Sequence, residues 1–230
     1  VAILSEVFEQ LGIESMRVAD GAMREGLLYD LLGRYTDEDS RERTVRSMQE
    51  RYHVDRAQAE RVEQTAVGLL NQVEEQWQLT DPAVELLLRW AAQLHEIGLD
   101  VAHSGYHRHG AYLLANADMA GFPREEQKLL SVIVGGHRRK PVLEQADELA
   151  PPWDKRAPPM TFLLRLAVLL LRGRSSVALP DIKLSSRTDS LELKFPSGWL
   201  HDHPLTVADL QTEIDHLKSV GFRLRVFSTR

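Results

Sequence analysis

Apolar residues recur at helical spacing through most of this chain, and the pattern turns to strand-like alternation only near its end. Residues 3 to 11 (ILSEVFEQL) carry apolar side chains every three or four positions, and Gly12 follows where a helix C-cap is expected. Met16 to Ala19 reads as a short strand, and Asp20-Gly21 as a turn into a helix from about Ala22 through Leu32. From Asp37 to Trp90 the pattern is helical and strongly charged. Val45, Met48 and Tyr52 oppose a mixed-sign face of Arg41, Arg43, Arg46, Glu50 and Arg51, which reads as solvated surface laced with local ion pairs. Val62, Ala66, Leu69, Leu70 and Val73 mark a further helix. Asp81-Pro82 supplies an N-cap and a proline at N1 for the next one, which presents Leu87, Leu88, Ala91 and Leu94 on one face and delivers His95 and Glu96 at its end.

Further helices are predicted at Ala111 to Ala115 and at Glu125 to Val134, the latter entered through Gly121-Phe122-Pro123. Ala150 to Met160 (APPWDKRAPPM) holds four prolines and is predicted as a loop or linker. A buried helix follows at Phe162 to Leu171. Asp181 to Ser185 and Ser190 to Phe195 alternate as strands around a turn at Asp189, Leu205 to Val220 is helical, and Phe222 to Phe227 returns to a strand. The predicted fold is mainly α with a small α+β appendage. Its expected divisions are 1–33, the tail of an α/β domain; 34–175, a helical domain; and 176–230, the appendage.

Composition narrows the functions without choosing one. The 230 residues are 43% hydrophobic and 27% charged with a formal net charge of −6, so a polyanion would need a local basic track. Cysteine is absent, which excludes thiol catalysis and disulfides and accords with a cytoplasmic location. The richest apolar run, FLLRLAVLLL at Phe162 to Leu171, is too short for a membrane span and carries Arg165. The chain opens at Val1 within an amphipathic pattern, and 1–33 has too little apolar surface to offset its ordering entropy. It is therefore read as part of a longer polypeptide.

Five of the nine histidines lie between His95 and His137. The segments His107-Arg108-His109 and His137-Arg138-Arg139-Lys140 read as two basic loops, the second preceded by Gly135-Gly136. Such loops offer side chains and backbone N–H groups to an anion. Brought side by side in one bundle, His107, Arg108, His109, His137, Arg138, Arg139 and Lys140 would bind polyphosphate, with the histidines adding charge below about pH 6.5; the alternative is a pair of solvated basic loops. His95 and Glu96 are the candidate metal ligands. The alternative for His95 is a buried helix-end histidine, with Glu96 pairing to it or to an arginine.

LHEIG at Leu94 to Gly98 resembles the LHDIG form of the His-Asp pair of the HD superfamily of metal-dependent phosphohydrolases, and the likeness extends over roughly residues 40 to 175. Three departures weaken the metal site it implies. Glu96 replaces aspartate, Val168 stands where the late helix supplies an aspartate, and the early helix at Ala57 to Leu70 has no histidine, His53 preceding it.

Several blocks together resemble the C-terminal half of the exopolyphosphatase and guanosine-pentaphosphate phosphatase family. They are VADGAMREGLLYDLLGR (Val18 to Arg34), RERTV (Arg41 to Val45), RYHVD (Arg51 to Asp55), LHEIGLDVAHSGYHRHGAYLLANADMAGF (Leu94 to Phe122), GGHRRK (Gly135 to Lys140) and LLRLAVLL (Leu163 to Leu170). HSGYHRH and HRRK are closer to the exopolyphosphatase branch. The resemblance implies two actin-like domains that bind magnesium and hydrolyse a terminal phosphoanhydride, then an HD-like helical domain, a small C-terminal domain and homodimer formation. On this reading, residues 1–33 are what is left of the second actin-like domain, and the catalytic centre lies outside the chain. The chain itself would hold inorganic polyphosphate and support the dimer.

Two other readings compete. One is an HD-type phosphohydrolase acting on guanosine tetra- or pentaphosphate through His95 and Glu96. The other is nucleic-acid binding through Arg223, Arg225, Arg230, Phe222 and Phe227, a pattern that an ordinary strand with one wet face also produces.

Overall fold

A computed structural model describes residues 40–229 apart from 142 and 188, together with residues 6, 8–10 and 12. The chain divides into two units, 1–40 and 41–230. Residues 6 and 8–10 are helical and Gly12 takes φ +62°, matching the expected helix and its glycine cap. The strand expected at Met16 to Ala19 and the helix at Ala22 to Leu32 lie outside the described residues.

Six helices build the main body: α1 (Ser40–Arg51), α2 (Arg56–Leu70), α3 (Pro82–Leu94), α4 (Tyr106–Asn116), α5 (Arg124–Gly136) and α6 (Trp153–Leu170), with a 3₁₀ turn at Ile97–Asp100. Capping carboxylates set the starts of two of them. Asp55 accepts from the Gln58 amide at 3.0 Å and Asp81 from the Ala83 amide at 3.0 Å, each meeting an N–H that the first helical turn leaves unpaired. The apolar faces read from the sequence converge as expected: Val62, Ala66, Leu70, Leu87, Leu88, Ala91, Leu94, Leu129, Leu130 and Ile133 are all buried in one core.

Two helices depart from expectation. First, α4 begins at Tyr106 rather than near Ala111, so His107, Arg108 and His109 form a first helical turn and not a loop. Second, α6 runs back through the proline segment and contains Pro158 and Pro159, where a loop was predicted. Each internal proline disfavours a helix by about 3 kcal/mol. Burial outweighs them: Met160, Phe162, Leu163, Leu164, Leu166 and Leu170 are buried, and each contributes roughly 1.5–3 kcal/mol. Both prolines lie on the half-exposed side.

The C-terminal pattern reads closely. Strands β1 (Lys183–Arg187) and β2 (Ser190–Phe195) pair antiparallel across the turn at Asp189, and β3 (Arg223–Ser228) pairs parallel to β2, giving the order β1-β2-β3. A parallel neighbour requires a long crossover, here α7 (Trp199–Asp202) and α8 (Pro204–Lys218). The sheet is joined to the bundle by side chains. The Gln72 amide donates to Ile182 O at 3.3 Å and accepts from Leu184 N at 2.8 Å, Trp77 Nε1 donates to Arg187 O at 3.1 Å, and Phe162 and Phe222 lie 4.5 Å apart. Among the described residues no helix is long and apolar enough to cross a membrane.

Candidate functional site

A cavity of about 560 Å³ opens where the ends of α3 and α5 meet α6 and α8. Its wall takes His95 and Glu96 after α3, Tyr106 at the start of α4, His137, Arg138 and Arg139 after α5, Arg165 and Val168 on α6, Arg172 and Arg174 beyond it, and Asp209, Glu213 and His216 on α8. Close backbone approach brings these ends together. A Cβ on Gly98 would stand 2.0 Å from Tyr106 O and 2.5 Å from Gly110 N, so only glycine lets the 3₁₀ turn lie against α4. A Cβ on Gly136 would meet Thr161 Cγ2 at 2.7 Å, so its absence seats the end of α5 on α6.

Two histidines of the wall, His95 and His137, are buried and bonded to their own helix ends. His95 Nδ1 donates to Ala92 O at 2.6 Å and His137 Nδ1 to Val134 O at 2.5 Å. A carbonyl only accepts, so Nδ1 carries the proton and Nε2 of the neutral ring is an acceptor. The two rings lie 5.5 Å apart, and His137 Nε2 is 3.4 Å from the Tyr106 hydroxyl, which donates to it. Burial lowers the pKa of His95 and lowers that of His137 further below the usual histidine range, with His95 adding to the shift at His137. His107 is also buried, 6.1 Å from His137, and its Nδ1 has no hydrogen-bond partner. Burial first, and then Arg108, Arg138, Arg139 and Arg165, hold its pKa down at about 4. The expectation that these histidines add charge below pH 6.5 is therefore corrected for His107 and His137: they stay neutral there because the fold has taken them out of water.

Arginines supply the charge. Arg165, 2% exposed inside the apolar run of α6, forks onto Glu213 through Nε–Oε1 (2.6 Å) and Nη2–Oε2 (2.7 Å). It also donates to Gly136 O at 2.5 Å and to Arg139 O at 2.7 Å. Arg174 bridges Glu96 Oε1 (2.5 Å) and Asp55 Oδ2 (2.9 Å), and Arg172 pairs with Asp209. Glu96 is thus the partner of an arginine, with His95 Nε2 at 3.8 Å. Five arginines face three carboxylates across the cavity. Arg165, Arg172 and Arg174 take up Glu213, Asp209 and Glu96, leaving Arg138 and Arg139 without a carboxylate partner among the described residues. Arg138 lies 5.0 Å over the Tyr106 ring.

Of the seven basic residues predicted to bind phosphate, His137, Arg138 and Arg139 line the cavity and His107 is buried near them. Arg108 and Lys140 are exposed and His109 half-buried, all outside the cavity wall. The candidate metal ligands His95 and Glu96 are adjacent, but among the described residues no three His, Asp or Glu side chains converge as a metal site would require. Every carboxylate lining the cavity is held by an arginine, so the donor set does not fit a divalent ion. His53, outside the wall, pairs with Asp100 at 2.9 Å. The sequence reading missed Arg165, Arg172, Arg174 and Glu213. The one available signal was Arg165 itself, a charge inside an apolar helix that has to find a buried partner.

A helical unit whose buried histidines and arginine–carboxylate pairs enclose a cavity with surplus positive charge is suited to holding phosphate-bearing anions. Residues 40–214 match the family Ppx/GppA phosphatase, domain III, and the chain belongs to that family. It is 39% identical over 226 residues to the guanosine-5'-triphosphate,3'-diphosphate pyrophosphatase of Aeromonas hydrophila, a match covering 98% of this chain and 46% of the relative. Proteins of the same name from Aeromonas salmonicida and Pseudoalteromonas translucida are 36% and 38% identical, covering 46% and 45% of their lengths. The chain thus spans about half the length of the curated relatives it matches. Their names fall on the guanosine-pentaphosphate branch, not on the exopolyphosphatase branch that HSGYHRH and HRRK favoured.

Proposed function

We propose that this chain is the helical module of a phosphatase acting on guanosine-5'-triphosphate,3'-diphosphate, and that its cavity holds phosphate groups of that ligand. The observation that carries the reading is the surplus of arginine over carboxylate around the cavity, with Arg138 and Arg139 unneutralised at its edge. Guanidinium groups bind phosphate oxygens in pairs, and a partly enclosed site screens that attraction less than open water does. The names of the relatives favour the guanosine ligand over inorganic polyphosphate. Geometry adds a second reason: the two basic segments do not make one exposed track, since His107 and His137 are buried and Arg108, His109 and Lys140 lie off the cavity.

Hydrolysis itself is assigned to the part of the relatives' length that this chain does not match, where the family resemblance puts magnesium. Each carboxylate lining the cavity is held by an arginine, so the contribution of the cavity is to bind and orient the anion. Homodimer formation and a cytoplasmic location belong to the same proposal. Calorimetric titration with guanosine-5'-triphosphate,3'-diphosphate, tripolyphosphate and long-chain polyphosphate tests it. Tightest binding of the guanosine ligand is expected. Affinity that climbs steadily with polyphosphate length and ignores the nucleoside would instead favour the polyphosphate reading.

A further inference from the structure

Arg165 touches both ends of the segment that carries the two arginines without a carboxylate partner among the described residues, and it does so from within the core. Its guanidinium donates to the carbonyls of Gly136 and Arg139, the residues that bracket His137 and Arg138. Gly136 ends α5, where carbonyls lose their helical partners, and Arg139 turns the chain with φ +63°, a conformation that a side-chain-bearing residue adopts only when its surroundings hold it. The other edge of the same guanidinium is clamped by both oxygens of Glu213 on α8. Four of its five donor hydrogens are thereby assigned, two to the carboxylate and two to the turn.

We infer that Arg165, oriented by Glu213, is a positioning residue for the anion site: it fixes the turn at 136–139 so that Arg138 and Arg139 face the cavity. Arg165 is buried, with four of its five donor hydrogens taken up by Glu213 and the turn, so its role toward the anion runs through the turn it holds. The inference rests on the anion-site reading proposed above. It adds that α8, through Glu213, governs a site whose cations stand just beyond the end of α5. Lysine at 165 would keep the charge but not the fork, since one ammonium cannot align with two carboxylate oxygens and two carbonyls together.

The test is a double-mutant cycle on the full chain with inorganic tripolyphosphate as probe, titrated at several salt concentrations and well below the melting temperature. Arg165→Lys is expected to weaken binding about tenfold and to flatten the salt dependence by about one to two units of log Kd per log salt, as loss of two phosphate contacts does. In the Arg138→Ala/Arg139→Ala background the same change should cost nothing further. Glu213→Gln, which leaves the guanidinium in place with a weaker anchor, should lose about threefold with the same non-additivity, and it carries the test if Arg165→Lys does not fold. A purely structural role would lower the melting temperature and leave affinity and salt slope at wild-type values, and that result in both variants overturns the positioning role alone. Wild-type affinity in Arg138→Ala/Arg139→Ala overturns the anion-site reading and the positioning role with it.

Discussion

His107-Arg108-His109 and His137-Arg138-Arg139 are nearly the same tripeptide, yet the fold uses them in opposite ways. The first lies in the opening turn of α4, where a helical rotation separates neighbours: His107 is turned inward and buried, while Arg108 points to solvent. The second follows the end of α5, where the chain leaves helical geometry and Arg165 holds its carbonyls. There the histidine is buried as well, but both arginines line the cavity. Similar basic tripeptides, the second with one arginine more, yield a surface feature in one case and a lined site in the other. What decides is whether the residues sit inside a helix or just beyond its end.

The largest expected effect comes from removing what holds the second segment. Arg165→Met leaves the buried Glu213 carboxylate and two carbonyls without their donor, and breaking a buried pair in this way costs about 3–5 kcal/mol. Denaturant unfolding should show it, and a loss under 1 kcal/mol by the same measurement would mean that the pair is relieved by water.

The first segment has its own weak point. Gly98→Ala drives a methyl group into the backbone at Tyr106 and Gly110, where no side chain can move aside, for a loss of about 3 kcal/mol. Hydrogen exchange should then rise first at the start of α4 and leave the end of α5 protected. Uniform loss of protection would show that the two segments form one cooperative unit.

A smaller effect follows from the histidines that both segments bury. The folded pKa of His107 is about 4, against about 6.5 in the unfolded chain, and those of His95 and His137 are also lowered. Well above pH 6.5 all are neutral in both states and contribute no pH dependence. As the pH falls from 6.5 towards 4 the unfolded chain takes up protons that the folded one refuses, so stability drops, by up to about 1.4 kcal/mol per pH unit for each histidine. Unfolding midpoints at pH 7.5, 6 and 5 read the slope, and His107→Gln should flatten it. The smallest effect is expected at Arg108→Ala, whose exposed side chain should move stability by less than about 0.5 kcal/mol.

Much of the fold was legible before the structure. The apolar faces of α2, α3 and α5, the Asp81-Pro82 start and the three strands follow from periodicity and capping chemistry, which are local. Two misjudged elements show where locality ends. The proline segment is helical because α6 buries a long apolar face, a tertiary gain that outweighs the local penalty. Likewise α4 starts at Tyr106 because Gly98 lets a neighbouring backbone dock there, a contact that no spacing within His107 to His109 reveals. The site was half legible: histidines and Arg138-Arg139 stood out as a cluster, but Glu213, 48 residues from Arg165, carries no signal in sequence that it completes the same network.

The direct test of the contrast between the two segments is a titration of guanosine-5'-triphosphate,3'-diphosphate into three proteins: wild type, Arg138→Ala/Arg139→Ala, and Arg108→Ala/Lys140→Ala. The second pair of changes removes as much charge as the first, but outside the cavity wall. Losing charge-assisted contacts worth about 1.5–3 kcal/mol each should weaken binding by at least about tenfold at Arg138 and Arg139. The Arg108→Ala/Lys140→Ala protein should bind within about twofold of wild type. Equal losses in both double variants would contradict the account, since net charge and not the lined cavity would then govern binding.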